Sequence, residues 1–273
     1  MSTETGGAAS REGAAVSQTL RRGLSILRLL TDCGPGGLRI SEIARRIALN
    51  KATTIRLAKA LLEEGFIVQN AETQHYRLGP EAFAIGLAAE PSYRLQRVAA
   101  PILEGIAQRT DDTVLFTVRH GYDNVCISRH EGARPMRQQL MKPGDRWPAG
   151  VGAGSCAMLS ALEDDEITEA LSKSRSERSQ RFPRCTDREI WQLIGDTREK
   201  GYCLLPGLVF QDSWAVGVCV RDAAGQPSAS ISVAASRTRL GIARSAAIGN
   251  YLIESRDRLL GTPASSPAQA TGA

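Results

Sequence analysis

Residues 38–78, LRISEIARRIALNKATTIRLAKALLEEGFIVQNAETQHYRL, decide the fold of the first part of the chain. Two helical patterns, a tight turn between them and a strand–turn–strand pattern follow one another, which is the order of a winged helix-turn-helix. Ser41 is placed to cap a first short helix that buries Ile43, Ala44 and Ile47 at helical spacing. Leu49-Asn50 breaks that pattern, and Asn50 then caps a second helix ending near Glu64, where Gly65 supplies the left-handed position after the last turn. On a wheel of 3.6 residues per turn, Thr54, Leu57, Ala58 and Leu61 share one stripe, while Ala52, Thr53, Arg56 and Lys59 lie opposite. Residues 66–69 and 75–78 alternate apolar with polar around Asn70-Ala71-Glu72-Thr73-Gln74, the pattern of a two-stranded wing.

Such a unit dictates which residues meet a duplex. In a major groove, Arg56 forks onto a guanine, Thr53 reaches phosphate or base, and Ala52 is small enough to approach a thymine methyl. Lys51 and Lys59 neutralise backbone phosphates, with Ser41 on the first helix and Arg77 in the wing as further contacts. The charge distribution agrees, because the excess is local. Residues 16–80 carry ten Lys or Arg against five Asp or Glu, a net of +5, whereas residues 1–15 sum to −1 and residues 81–273 to +1. A polyanion calls for such clustering; solubility does not. An ordinary amphipathic hairpin with a solvated face accounts for either helix taken singly. The order and punctuation of all the parts favour double-stranded DNA as the partner.

The remainder is read from composition and periodicity. A chain of 273 residues with 42% hydrophobic content has room for two cores, and 23% charged residues suit a folded protein rather than a disordered one. No apolar run approaches the roughly 20 residues of a membrane helix, and the first 17 residues lack the apolar core of a signal peptide, so a cytoplasmic protein without a membrane partner is expected. Residues 1–15 and 262–273 are small, polar and Pro/Ala/Ser-rich, the composition of disordered tails. Between them, residues 16–80 form the DNA-binding domain, opened by a helix over 17–31 with Leu20, Leu24, Leu27 and Leu30 as its core stripe. Residues 81–97 form a linker helix region interrupted at Pro91, and residues 98–261 form the second domain.

That second domain predicts a helix over 93–109, strands over 113–118, 124–129 and 136–141, helices over 164–172 and 187–200, a hairpin of 214–221 with 227–235, and a closing helix over 240–260. Hairpins at both ends with helices between them make an α+β fold with a mainly antiparallel sheet.

Few residues suit catalysis. The turn Gly150-Val151-Gly152-Ala153-Gly154-Ser155 brings backbone N–H groups toward an anion, yet lacks the Gly-Lys-Ser/Thr end of a P-loop and the βαβ spacing of a dinucleotide fold. A small carboxylate or polar effector, or a plain tight turn, accounts for it better than a nucleotide. Ser155 or Cys156 as a nucleophile needs a base, and His75, His120 and His130 sit in no triad motif. The run Glu163-Asp164-Asp165-Glu166 opens a helix, where the dipole favours carboxylates without a metal. The six cysteines form no C-x-x-C pair and read as buried free thiols. No catalytic residue, metal or cofactor is expected.

The segments RRGLSILRLL (21–30), ISEIARRIALNKATTIRLAKALLEEGFI (40–67), YRLGPEAFAIG (76–86), GVGAGS (150–155), EKGYCLLPGLVFQDSWAVGVCVRD (199–222) and SASISVAASRTRL (228–240) together resemble the IclR family of bacterial transcriptional regulators, from about Ser17 to Gly261. The resemblance implies a winged helix that binds operator DNA, a linker helix that helps dimerise, and a GAF-like domain that binds a small organic effector. It also implies a homodimer or dimer of dimers acting as repressor or activator, with RNA polymerase a further partner. The effector residues it implies are Gly152, Ala153, Gly154, Leu205, Ala215, Ser232 and Ala234. This sequence has Ala52 where a serine is frequent and Ile55 where a histidine is frequent, so the operator preference is its own. Leu205 replaces an acid, Ala215 a cysteine and Ala234 a second hydroxyl of some members. Those losses, with Trp147, Phe210 and Trp214 nearby in the pattern, favour a less polar effector, an aromatic or other carboxylic acid. The alternative is a small-molecule enzyme or sensor with an appended DNA-binding module.

Overall fold

A computed structural model of the chain describes residues 6–31, 33–89, 94–134 and 140–261. It divides into two compact units, Met1–Arg94 and Leu95–Ala273, a boundary that falls inside the 81–97 stretch.

In the first unit, helix α1 (Gly6–Thr31) begins at Gly6 rather than at residue 17. Four alanines with Arg11 and Glu12 favour a helix in the added turns, against three glycines. The core stripe of α1 also differs from the leucine spacing. Ile26 and Leu30 are buried, whereas Leu20 and Leu24 are 63% and 41% exposed. Strand β1 (Leu38–Arg39) precedes α2 (Ile40–Arg46) and α3 (Lys51–Glu63), and β2 (Ile67–Gln69) and β3 (His75–Leu78) complete an antiparallel sheet in the order β1-β3-β2. Ile26, Leu30, Leu38, Ile43, Leu57 and Ile67 make one core from helices and sheet together. Helix α4 (Pro80–Ala89) follows, and Pro91 lies outside the described residues.

Ser41 does not cap α2. The helix starts one residue earlier, and Glu42 reaches back to accept the Arg39 N–H at 3.1 Å, which leaves Ser41 exposed in the first turn. The α3 cap is as expected, with the Asn50 carboxamide oxygen accepting the Thr53 N–H at 2.8 Å. Ala48, at φ 52°, turns the chain between the two helices, where Leu49 N–H bonds back to Ala44 O at 2.9 Å.

The second unit is an antiparallel six-stranded sheet, β6-β5-β4-β9-β8-β7, built from β4 (Thr113–His120), β5 (Asp123–Glu131), β6 (Arg146–Pro148), β7 (Cys203–Pro206), β8 (Ser213–Arg221) and β9 (Pro227–Ser236). Its helices are α5 (Arg94–Thr110), α6 (Ala153–Leu159), α7 (Asp164–Arg181), α8 (Asp187–Lys200) and α9 (Ile242–Gly261). Strand alternation sorts the side chains into two cores. Val114, Phe116, Val216, Val218, Ile231 and Val233 pack with α5 and α9 residues such as Leu103 and Leu252. Leu115, Cys126 and Leu205 pack on the other face with Cys156, Ile167 and Ile190 of α6, α7 and α8. Residues 136–139 of the strand expected over 136–141 lie outside the described residues, and Leu140-Met141 are not in a strand; the strand beside β5 is β6.

Candidate nucleic-acid interface and ligand cavity

Helix α3 turns Thr54, Leu57 and Ala58 inward and leaves Lys51, Ala52, Arg56 and Lys59 exposed; Thr53 is half-buried, and its N–H is tied to the cap. All six side chains read as DNA contacts on α3 and the wing are thus accessible or at the accessible rim, Arg77 included, on β3 opposite Val68. Lys59 is held loosely by Glu63, 3.8 Å away on the next turn. The wing turn is organised by Asn70, whose Oδ1 accepts the N–H groups of Glu72 and Thr73 at 3.0 and 2.8 Å. Its base is tied to the linker before α2. His75 Nδ1 lies 2.9 Å from Gly36 O and its Nε2 accepts from Arg39 Nε at 3.2 Å, so the proton sits on Nδ1. Ile55, noted above only as a departure from the family and not as a contact, is 47% exposed in the middle of this cationic face. An exposed β-branched residue inside a reading helix was the available signal.

The second unit holds a cavity of about 530 Å³, its open mouth included, between one face of the sheet and α6. Trp147, Gly152, Ala153, Gly154, Leu205, Ala215, Ser232 and Ala234 all line it, joined by Asn124, Thr117, Met141 and Phe210, and every one of the six strands contributes. Small residues make the space. Gly217 of β8 leaves room for the α6 backbone at Ala153 and Gly154, and Gly154 in turn lies against Ser230, whose hydroxyl is hydrogen-bonded to Thr117 at 2.7 Å. The walls are largely apolar. Trp147 is edge-on to Phe210 with ring centroids 6.3 Å apart, and its ring borders Gly152. No Lys or Arg lines the cavity among the described residues.

A buried cation supports the rim from behind. Arg178 is 2% exposed; its guanidinium donates to Ala149 O, Leu171 O, Ser174 Oγ and Cys185 O and pairs with Asp187. It fastens the Pro148–Gly152 loop to α7 and α8.

The geometry gives the hydroxyl and the thiol of this turn structural partners. Ser155 Oγ accepts the Gly150 N–H at 2.9 Å, and the Cys156 thiol is fully buried, donates to Gly150 O at 3.4 Å, and is held protonated by its hydrogen bond with Cys203 and by burial. His120 meets Arg146 and His130 meets Ser128, each at 3.3 Å, and His75 belongs to the wing, so no histidine serves as its base. The acidic run opens α7, where Asp164 accepts from Arg198 Nη2 at 2.8 Å.

A cationic reading helix in one unit and a largely apolar cavity in the other define a ligand-responsive DNA-binding regulator. Residues 19–71 match the IclR helix-turn-helix domain and residues 89–258 match the bacterial transcriptional regulator IclR C-terminal domain, and the chain belongs to that family. Among curated relatives, the transcriptional repressor IclR of Escherichia coli is 23% identical over 238 residues, covering 87% of this chain and 86% of the relative. The HTH-type transcriptional repressor AllR of Klebsiella pneumoniae is 27% identical over 227 residues, 82% of each. An IclR-family regulator from Brucella abortus shares the fold at TM-score 0.73 and 23% identity, over 90% of this chain and 92% of that one. An IclR homologue from Microbacterium hydrocarbonoxydans, solved with 4-hydroxybenzoate, does so at TM-score 0.71 and 20% identity, over 89% and 98%.

Proposed function

We propose that this regulator represses its target genes as a cytoplasmic homodimer or dimer of dimers, and that an aromatic carboxylic acid bound in the second unit releases it from its operator. The observation that carries the effector class is the cavity wall. Trp147 and Phe210 offer aromatic surface, Leu205, Ala215 and Ala234 offer no charge or hydroxyl, and Ser232 supplies one hydroxyl. With no cationic side chain lining the space among the described residues, the carboxylate is held by Ser232 and by the N–H groups that the Gly152–Gly154 turn leaves at its wall.

Lys51, Ala52, Thr53, Arg56 and Lys59 read and grip the duplex, Ile55 meets a thymine methyl beside Ala52, and Ser41 and Arg77 touch the backbone. Helix α4 exposes Phe83, Ile85 and Leu87, and a second copy of the chain covers them. Fluorescence anisotropy on the protein's own upstream intergenic duplex and on a scrambled duplex, each at low and near-physiological salt, tests the DNA half. Preference for the native duplex that persists in salt and falls in Arg56→Ala supports it; equal, salt-sensitive binding to both duplexes refutes it.

A further inference from the structure

Two polar groups on the cavity wall face the space. One is the Ser232 hydroxyl, in a residue 6% exposed on β9. The other is the Asn124 Nδ2 amide, in a residue 4% exposed on β5, and this amide is buried without a hydrogen-bond partner. A buried N–H₂ group without an acceptor keeps its full desolvation penalty, so one in a folded chain calls for a partner from outside the protein. Asn124 stands directly opposite Trp147 in the β5–β6 pair and in phase with the buried Cys126, which places it on the cavity face.

The two groups are far apart. On β4, Leu115 pairs with Ser232 of β9 and Arg119 pairs with Asn124 of β5. Two strand spacings across and four residues along put their Cα atoms roughly 16 Å apart. One carboxylate cannot reach both.

Resting on the effector site proposed above, we propose that Asn124 is a specificity-determining residue that donates a hydrogen bond to an acceptor at the end of the effector opposite its carboxylate. The effector is then an aromatic acid with two polar ends, the carboxylate at Ser232, the ring against Trp147 and Phe210, and a distal oxygen at Asn124. An acid of the same shape without that oxygen leaves the amide buried and unpaired, and the site discriminates against it.

Isothermal calorimetry on the full-length protein tests this with two probe pairs that differ by one oxygen, benzoate against 4-hydroxybenzoate and cinnamate against 4-hydroxycinnamate. In wild type the para-hydroxyl of at least one pair tightens binding about tenfold or more. In Asn124→Leu that gain disappears, and the melting temperature of the ligand-free protein is unchanged or raised because an unpaired donor has gone. Loss of the gain in Ser232→Ala instead of Asn124→Leu overturns the assignment while leaving the effector site standing. A fall in the ligand-free melting temperature of Asn124→Leu, with the gain retained, also overturns it, since Asn124 is then structural. If wild type binds none of the four acids, both the assignment and the aromatic-acid reading of the cavity fail.

Discussion

Gly154 shows how one residue sets the depth of the cavity. A Cβ there would overlap the Ser230 Oγ, and Ser230 cannot turn aside without breaking its 2.7 Å bond to Thr117 in a fully buried site. Gly154→Ala is therefore expected to cost about 1–3 kcal/mol in urea unfolding, the usual range for an overpacked core, with part of the loss recovered in the Gly154→Ala, Ser230→Ala double variant. Asp112 works differently. It is fully buried and accepts from Arg239 Nε at 2.9 Å and Arg244 Nη2 at 2.7 Å, tying the start of β4 to the turn after β9 and to the first turn of α9. Because both arginines are partly exposed, Asp112→Asn should cost about 1.5–3 kcal/mol, the range of a hydrogen bond to a charged group, rather than the larger penalty of a fully buried ion pair. Thermal melts of that variant check it.

The buried thiols give the residue scale a pH dependence. Burial pushes Cys126 up to about 12 and Cys185 and Cys219 up to about 11, all from an ordinary value of 9.0. A thiol whose value rises on folding keeps a proton that the unfolded chain releases, so its contribution is intact below pH 9 and is lost as the pH climbs toward 11 to 12. Unfolding free energy measured by urea from pH 8 to pH 10.5 should fall, and should fall less steeply in Cys126→Ala; a flat profile would contradict the burial of these groups.

At the scale of elements, the caps and faces of the helix-turn-helix carry the argument. The Asn50 side chain closes the first turn of α3, so Asn50→Ala should destabilise the first unit by about 1 kcal/mol in thermal unfolding, and Asn50→Ser should largely preserve it. Lys59 is exposed on the same helix, and its replacement by Ala should lower affinity for all duplexes alike and reduce the salt slope by about one, a signature that separates phosphate contact from base reading.

Much of this scale was legible in the sequence. The period of α3, its Asn50 cap and the Gly65 stop are local signals, and the hairpins of β4–β5 and β8–β9 announce themselves by alternation and short turns. Strands β6 and β7, of three and four residues, were too short to show a period and exist because neighbours pair with them. Ser41 misled because Glu42 competes for the same end of α2, and Leu20 and Leu24 misled because spacing alone does not say which stripe the sheet and α3 will cover. The seven effector residues, with Trp147 and Phe210, line one cavity, whereas Trp214 packs against the core on the other face of the sheet and adds no aromatic surface there. Asn124 was not legible, since only the pairing of β5 with β6 brings it beside Trp147 and only the finished core leaves its amide unpaired.

For the whole molecule, regulation is a difference in free energy between two binding events. An effector changes operator affinity only to the extent that it prefers one conformation of the chain over another, and coupling of this kind is typically about 1–3 kcal/mol, or roughly 5- to 150-fold. The most direct test is anisotropy of the full-length protein on its upstream duplex with and without saturating 4-hydroxycinnamate, with binding of the acid followed in parallel by calorimetry. The account predicts operator affinity lowered by a factor within that range in wild type and left unchanged by the same acid concentration in Ser232→Ala. Operator affinity that stays constant while calorimetry shows wild type saturated with the acid would contradict it.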